Sequence, residues 1–478
     1  MKYIRFTTIF IITLFICNPS FSQSPDILVK NYMEEGKVPG VFVAVVKNNS
    51  VIFQKGYGVS NLESNTPVTN KTCMEFGSAS KAFTDEAIMY LQHKHLLNFN
   101  DPITKYLTDA PASWSSITIK NLMEHTSGIK EYLLDPRFMV DAVFDPSKFN
   151  DTADFFLNKI SIDSMVHMFY SLPITFTPNT RWSYCNTGYM LLGKIGEKVS
   201  GKKFFDLVTE VLFTPLKMVQ TQANELAFKE GCLSKGYYMN DSGEMKPAPI
   251  LTTHYAFSAG AWATTGSDLI NFMKAMHFKK LPSDNEGYDI RNFKPGNQLL
   301  PFNYQFGHFY STIHGKHIIS HIGGTPGFTS SRIYVKEDTI SIIVLANRQE
   351  YSPTDQLAWD ILELYDKSLD FPATILHGEE ETKYTALIVK MIDAIKNNKP
   401  FPGGLSKPLE MLMGGEFGRG LWHEIFEKGF PTTVRCVEKE TLGKNKAYRF
   451  RLSAGAKTTY KMSAIFNENN ELAQLLWW

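Results

Sequence analysis

Two apolar, β-branched strand pairs stand far apart in the chain, and they constrain the fold more than any other feature. The first runs through Val41–Val46 and Val51–Gln54, with Asn48-Asn49-Ser50 supplying turn chemistry between them. The second runs through Ser331–Val335 and Ile340–Ala346, turning at Lys336-Glu337-Asp338. Between the pairs lie mostly helical patterns. Ser80–Leu91 places Phe83, Ala87, Ile88 and Leu91 on one face, and Ile119–Glu124, Tyr189–Val199 and Ser267–Met276 follow. Strands at both ends with helices between predict one antiparallel sheet closed by the two chain ends, an α+β architecture. A short helix, Pro25–Glu35, precedes the first pair and ends near Gly36.

A composition shift follows Tyr365. Pro372 and the run Gly378–Thr382, with three glutamates, read as a linker. Helical patterns at Tyr384–Asn397 and Lys407–Phe426 come next. Alternating runs follow at Thr432–Lys439, Ala447–Leu452, Thr458–Phe466 and Leu472–Trp477, separated by turn residues. They predict a small α+β domain of two helices and a β-meander, with no catalytic constellation. The resulting division is 1–22, a leader; 23–367, the main domain; 368–382, a linker; and 383–478, the accessory domain. Leu133–Asp163, rich in Asp, Phe and Pro and without a clean period, reads as an insertion or lid.

The leader has its own logic. Lys2 and Arg5 precede the apolar run Phe6–Ile16, and Ser20 and Ser22 sit where cleavage before Gln23 wants small residues. The run is short of the roughly 20 residues a membrane-spanning helix needs. A secretory signal peptide is therefore expected, giving an exported, periplasmic or secreted protein with no stable membrane insertion after cleavage. Cys17 raises a lipoprotein alternative, against which bulky Ile16 argues. The formal charge of +1 gives no global field for nucleic acid or an anionic membrane. Cys73, Cys185, Cys232 and Cys436 match no zinc or disulfide framework. They read as small apolar core residues, with a Cys73–Cys185 bridge as an alternative because both flank the motifs below.

The chemistry is concentrated in three motifs. Ser78-Ala79-Ser80-Lys81 opens the amphipathic helix, so the lysine amine falls beside the serine hydroxyl and is placed to take its proton. Ser127-Gly128-Ile129-Lys130 and Ser200-Gly201-Lys202-Lys203 have the same spacing without that context, and a solvated lysine is the plainer reading of any one match. Tyr184-Cys185-Asn186 follows a loop and precedes a helix. A phenol beside an ammonium loses its proton more easily, and Asn186 has donors and an acceptor for both the lysine and a substrate amide. Tyr238-Met239-Asn240 is a decoy, and a packed aromatic beside a capping Asn is the plainer reading of either. Last comes His321-Ile322-Gly323-Gly324-Thr325-Pro326-Gly327, just before the second strand pair. Its glycines admit a close substrate and leave a main-chain N–H free, which with the N–H of Ser78 makes an oxyanion hole. Alone, it reads equally as a Gly-rich turn with a surface histidine.

The order Ser-x-x-Lys, Tyr-x-Asn, His-x-Gly resembles the serine β-lactamase and penicillin-binding-protein superfamily, nearest to class C β-lactamases and related esterases, D-peptidases and acyltransferases. Val38-Pro39-Gly40, Gly56-Tyr57-Gly58, His125-Thr126-Ser127-Gly128 and Gly324-Thr325-Pro326-Gly327-Phe328 are similar as well, and the likeness covers about residues 25–365. The resemblance implies that Ser78 is the nucleophile and that Lys81 and Tyr184 share the general-base work. It implies that Asn186 orients lysine and substrate, and that the N–H groups of Ser78 and Gly324 form the oxyanion hole. Asn186, His321, Gly323, Gly324 and Trp262 are the expected substrate-binding residues; Trp262 belongs to Ser258-Ala259-Gly260-Ala261-Trp262, which looks like a pocket-lining segment. Where β-lactamases carry Lys-Thr-Gly, this chain has His321, mostly neutral at pH 7, which weakens the case for a substrate carboxylate. The expected activity is hydrolysis of a small-molecule ester or amide through an acyl-enzyme, with no metal or cofactor. Transfer to a hydrophobic, sterol-like alcohol or an amine, D-amino-acid peptidase activity, and a non-catalytic sensor are the alternatives. The aromatic stretch from Phe138 to Phe176, with Trp262, is a candidate apolar lining.

Overall fold

The computed structural model describes residues 24–138, 160–286 and 303–477, apart from 230, 241, 251, 279, 350–353, 373, 415–425, 427–428 and 455–457. The leader, Cys17 and most of the expected lid lie outside the described residues. Among the described residues no helix is long and apolar enough to cross a membrane.

The two distant strand pairs meet. Gly40–Lys47 pairs antiparallel with Ile340–Ala346, with Val43 opposite Val344. These two strands form the middle of an eight-stranded antiparallel sheet. Ser50–Asn61 and Thr66–Pro67 extend it on one side; Phe328–Val335, Lys316–Thr325, His308–Ile313 and Asn303–Gln305 extend it on the other. Asn48 and Asn49 both take positive φ, 48° and 67°, the backbone that a tight hairpin requires at its centre.

Both faces of the central strands are buried, so they carry continuous apolar runs. The pleat sends alternate residues to different cores. Val41, Val43, Val45, Ile342 and Val344 pack beneath the helices Pro25–Gly36 and Thr354–Tyr365. Phe42, Ala44, Val46, Ile343 and Leu345 face the larger helical half, which includes Ala79, Ala82 and Phe83. Ser24 caps the first helix, Pro25 opens it, and Lys37 closes it in a left-handed conformation.

Three sequence readings shift. The strand holding His321 is Lys316–Thr325, so the histidine and both glycines sit within the sheet rather than in a turn before it. The strands His308–Ile313 and Asn303–Gln305 were not expected; they are short and mixed in polarity. Glu379–Glu381, read as linker, form the first turn of the helix Glu379–Lys396, where carboxylates favour the positive end of the helix dipole.

The small domain is that helix, Lys407–Gly414 and a four-stranded meander in sequence order. Its core stacks Tyr384 on Phe466, ring centroids 3.8 Å apart. Its links to the main domain and linker lie on the side of the sheet that carries the helix Thr354–Tyr365. Lys461 pairs with Glu363, Arg451 with Asp370 at 3.3 Å, and Glu438 with His314 at 2.6 Å.

Ile343, fully buried in the larger core, provides the test of this arrangement. Ile343→Ala should cost about 2–5 kcal/mol, whereas Ile52→Ala, at a side chain 44% exposed, should stay within about 0.5 kcal/mol. Urea unfolding midpoints of the two variants measure the difference.

Candidate active site

Ser78 lies in a 3-10 turn, Gly77–Ser80, that runs directly into the helix Lys81–His93. A 3-10 turn has three residues per turn, so Ser78 and Lys81 are nearly eclipsed. Gly77 begins this turn at φ +53°, and a Cβ there would sit 2.8 Å from the backbone nitrogen of Gly324. The turn is clamped from two sides. The Phe76 N–H donates to the Trp262 carbonyl at 2.8 Å, and the Ser330 hydroxyl donates to the Phe76 carbonyl at 2.9 Å.

Lys81 is fully buried. Its Nζ lies 3.1 Å from Ser78 Oγ, 2.7 Å from Asn186 Oδ1 and 2.7 Å from the Ala259 carbonyl. The last two atoms only accept hydrogen bonds. A neutral amine has two N–H bonds for those two acceptors, which leaves its lone pair toward the Ser78 hydroxyl. Burial favours that neutral form, holding the Lys81 pKa down to about 7, although Glu131 and Asp85 pull it upward.

Asn186 begins the helix Asn186–Ser200, and its orientation comes from Glu131. The carboxyl group of Glu131 accepts from the Asn186 backbone N–H, from Asn186 Nδ2 at 3.3 Å and from the Leu133 N–H at 3.2 Å. With Nδ2 committed to Glu131, the Oδ1 atom faces the lysine. Glu131 was missed in sequence; it stands in no recognised motif, three residues after the His-Thr-Ser-Gly phrase.

Tyr184 departs from expectation. The Lys81 amine lies over its ring, 4.9 Å from the centroid, and the phenol faces Ser78. Burial nevertheless pushes its pKa up, opposed by the hydrogen bond to Ser78. A neutral phenol, not a phenolate, is therefore the form this site holds. The ring rests on His125, centroids 4.4 Å apart. The buried His125 Nδ1 accepts the Cys185 N–H at 3.1 Å, fixing the backbone between Tyr184 and Asn186.

His321 is buried, not on the surface. Its Nδ1 is 2.5 Å from the Ile322 carbonyl, so that nitrogen carries the proton; Nε2 then accepts from the Tyr304 hydroxyl at 3.2 Å. Burial, with the charges of Arg332 and Lys81, holds its pKa well below the usual value. Both ring nitrogens are engaged inside the protein, so the substrate-binding role expected of this side chain loses its polar contacts. Gly323 packs on the Ser78 turn: an added Cβ would meet the Phe76 carbonyl oxygen at 2.0 Å. The side of Gly324 away from its backbone is open.

Trp262 is a correction. Among the described residues it is fully buried, packed against Phe83, Phe204, Phe205 and Phe213, as core and not as pocket lining. The segment before it does serve the site, through the Ala259 carbonyl. Phe138 and Phe169 are likewise core, packed on Tyr132. The decoys separate cleanly. Lys130 turns to Asp135, the Ser200 hydroxyl donates to the Gly196 carbonyl, and Asn240 folds back on Glu244. Cys185 does not approach Cys73; its thiol donates to the Ile129 carbonyl at 3.4 Å, while Cys73 lies beside Cys232.

Known proteins share this framework. The family model described as Beta-lactamase matches residues 26–367. Penicillin-binding protein 4* of Bacillus subtilis is 25% identical over 370 residues, covering 73% of this chain and 78% of that protein. Protein flp of Staphylococcus aureus is 26% identical over 340 residues, covering 69% of this chain and 64% of that protein. Among solved structures, the octameric penicillin-binding protein homologue of Pyrococcus abyssi aligns with a TM-score of 0.61 at 21% identity, over 92% of this chain and 89% of its own. That coverage reaches beyond residue 367, into the small C-terminal domain. With a motif order, a fold and a matched span that agree, the chain belongs to the Beta-lactamase family of serine hydrolases.

Proposed function

We propose that this protein is an exported serine hydrolase that cleaves a small-molecule ester or amide through an acyl-enzyme on Ser78. One observation carries the reading: the buried Lys81 amine lies 3.1 Å from Ser78 Oγ, with its two other neighbours both acceptors. A buried amine so placed is a base poised near neutral pH.

The steps follow from the geometry. Ser78 Oγ attacks the substrate carbonyl carbon, and Lys81 Nζ takes the hydroxyl proton. The developing oxyanion meets the N–H groups of Ser78 and Gly324; the close approach of Gly77 to the Gly324 backbone supports this pairing. Tyr184, held neutral, passes its phenolic proton to the leaving oxygen or nitrogen and is reprotonated from Lys81. Asn186, oriented by Glu131, keeps the lysine aligned. Water then attacks the acyl-enzyme by the reverse proton path.

A neutral His321 with both nitrogens engaged supplies no cation for a substrate carboxylate. This favours donors that are uncharged near the scissile bond over penicillins. A solved D-stereospecific amidohydrolase from Streptomyces aligns at 20% identity with a TM-score of 0.58, covering 71% of this chain and 98% of its own. It motivates amides of D-amino acids as test donors. Transfer of the acyl group to a hydrophobic alcohol or amine uses the same residues and is separated by product analysis. Export rests on the basic, apolar and small-residue order of the first 23 residues.

A fluorophosphonate probe should label Ser78, and Ser78→Ala should abolish the label. Tyr184→Phe should slow ester turnover about 10²–10⁴-fold, while Ser127→Ala and Ser200→Ala should leave it within about two-fold. Equal loss at either decoy sinks the assignment. Because Lys81 acts as the unprotonated base with a pKa of about 7, the labelling rate should rise with pH and reach half its plateau near pH 7. A rate that is flat from pH 5 to 9, or falls with pH, contradicts the lysine as base. Glu131→Gln, which keeps the shape but alters the charge beside Lys81, should lower that midpoint, because the carboxylate's attraction raises the lysine pKa. Intact-protein mass after incubation with an ester pool identifies the acyl group.

A further inference from the structure

We propose that Cys73 and Cys232 form a disulfide when the protein meets a disulfide oxidant, and that this bond staples the approach to the nucleophile turn. The two Sγ atoms lie 3.2 Å apart, both as thiols. Their backbones are already held side by side. Cys73 forms a bridge with Leu233, and the Ser234 N–H donates to the Cys73 carbonyl at 2.9 Å. A disulfide needs sulfurs about 2.05 Å apart, so closure takes about 1 Å of side-chain adjustment and no refolding. Two of the contacts that the S–H groups donate are long, weak ones: Cys73 Sγ to the Gln220 carbonyl at 3.7 Å, and Cys232 Sγ to the Ala227 carbonyl at 3.4 Å; the Gln222 Nε2 contact to Cys232 Sγ at 3.4 Å needs only the sulfur as acceptor.

The two thiols differ in access. Cys73 is fully buried on the strand Cys73–Glu75, whereas Cys232 is half-buried in the loop after the helix Asn224–Lys229. Cys232 is therefore the sulfur that an oxidant reaches. Its thiolate attacks the oxidant's S–S bond, releasing one thiol and leaving a mixed disulfide. The Cys73 thiolate then attacks the Cys232 sulfur and releases the second thiol. Two S–H bonds become one S–S bond, and the oxidant, a low-molecular-weight or protein disulfide, takes up two electrons and two protons. An exported protein meets such oxidants, and disulfides persist there.

The bond would connect two parts of the site. Cys73 leads within five residues to Ser78. The segment after Cys232 is sewn into the third-motif region: the Tyr237 N–H donates to the Gly327 carbonyl at 3.3 Å, and Asn347 Nδ2 donates to the Ser234 hydroxyl at 3.2 Å. Linking residues so distant in sequence restricts the unfolded chain more than the folded one.

The test uses the full chain, treated with oxidised glutathione, alkylated with iodoacetamide, digested and analysed by mass spectrometry. The expected result is a Cys73–Cys232 linked peptide pair that vanishes on reduction and is absent from Cys232→Ser. The thermal midpoint of the oxidised wild type should rise by about 5 °C or more, with no rise for Cys232→Ser. Alkylation of both Cys73 and Cys232 after oxidation, or pairing of either with another cysteine, overturns the cross-link. A linked protein with an unchanged midpoint overturns its role as a staple. Neither readout depends on catalysis, so the inference stands or falls apart from the function of Ser78.

Discussion

A lysine amine buried without partners would cost several kcal/mol, and the site is organised around avoiding that cost. Lys81 reaches three polar atoms, each from a different part of the chain: Ser78 one turn before it, Asn186 at the start of a helix, and Ala259 ahead of a strand. Together they satisfy the buried amine from three points of the chain. The same burial depresses the lysine pKa toward neutrality, the property on which the proposed base role of Lys81 rests.

The second constraint is backbone contact. The Gly77–Ser80 turn and the strand Lys316–Thr325 approach so closely that side chains at Gly77 or Gly323 would collide with main-chain atoms. Glycine here is a requirement of space and, at Gly77, of a positive φ. The contact holds the Gly77–Ser80 turn against the backbone of Gly324, on an element more than two hundred residues away in sequence. Arg332, buried within that sheet, adds a guanidinium bond to the Gly307 carbonyl at 2.8 Å and helps keep His321 neutral.

Much of this was legible in the residues. The apolar strand pairs announced the closed sheet because both faces of its central strands are covered. The Ser78–Lys81 and Tyr184–Asn186 pairs were legible because each depends on local spacing at the start of a helix. The environment of each side chain was not. The lysine neighbour predicts that the Tyr184 phenol loses its proton more easily, but burial pushes its pKa up, with only the hydrogen bond to Ser78 opposing. Trp262 was read as pocket lining from its place in the segment, but strand alternation turns it into the aromatic core. The Cys73–Cys185 alternative rested on closeness to motifs, which says nothing of where the sulfurs point.

By itself the sequence determined the fold class and the family resemblance, and it set Ser78 apart from its decoys as the proposed nucleophile, because these readings follow from periodicity, order and short-range spacing. Only the tertiary structure decided which acceptors saturate Lys81, that Glu131 orients Asn186, that His321 is buried and neutral, and that Cys73 faces Cys232. The reason is physical: protonation and side-chain partners depend on desolvation and on contacts between separate elements, for example Asn186 and Lys81, 105 residues apart, and no local pattern encodes either.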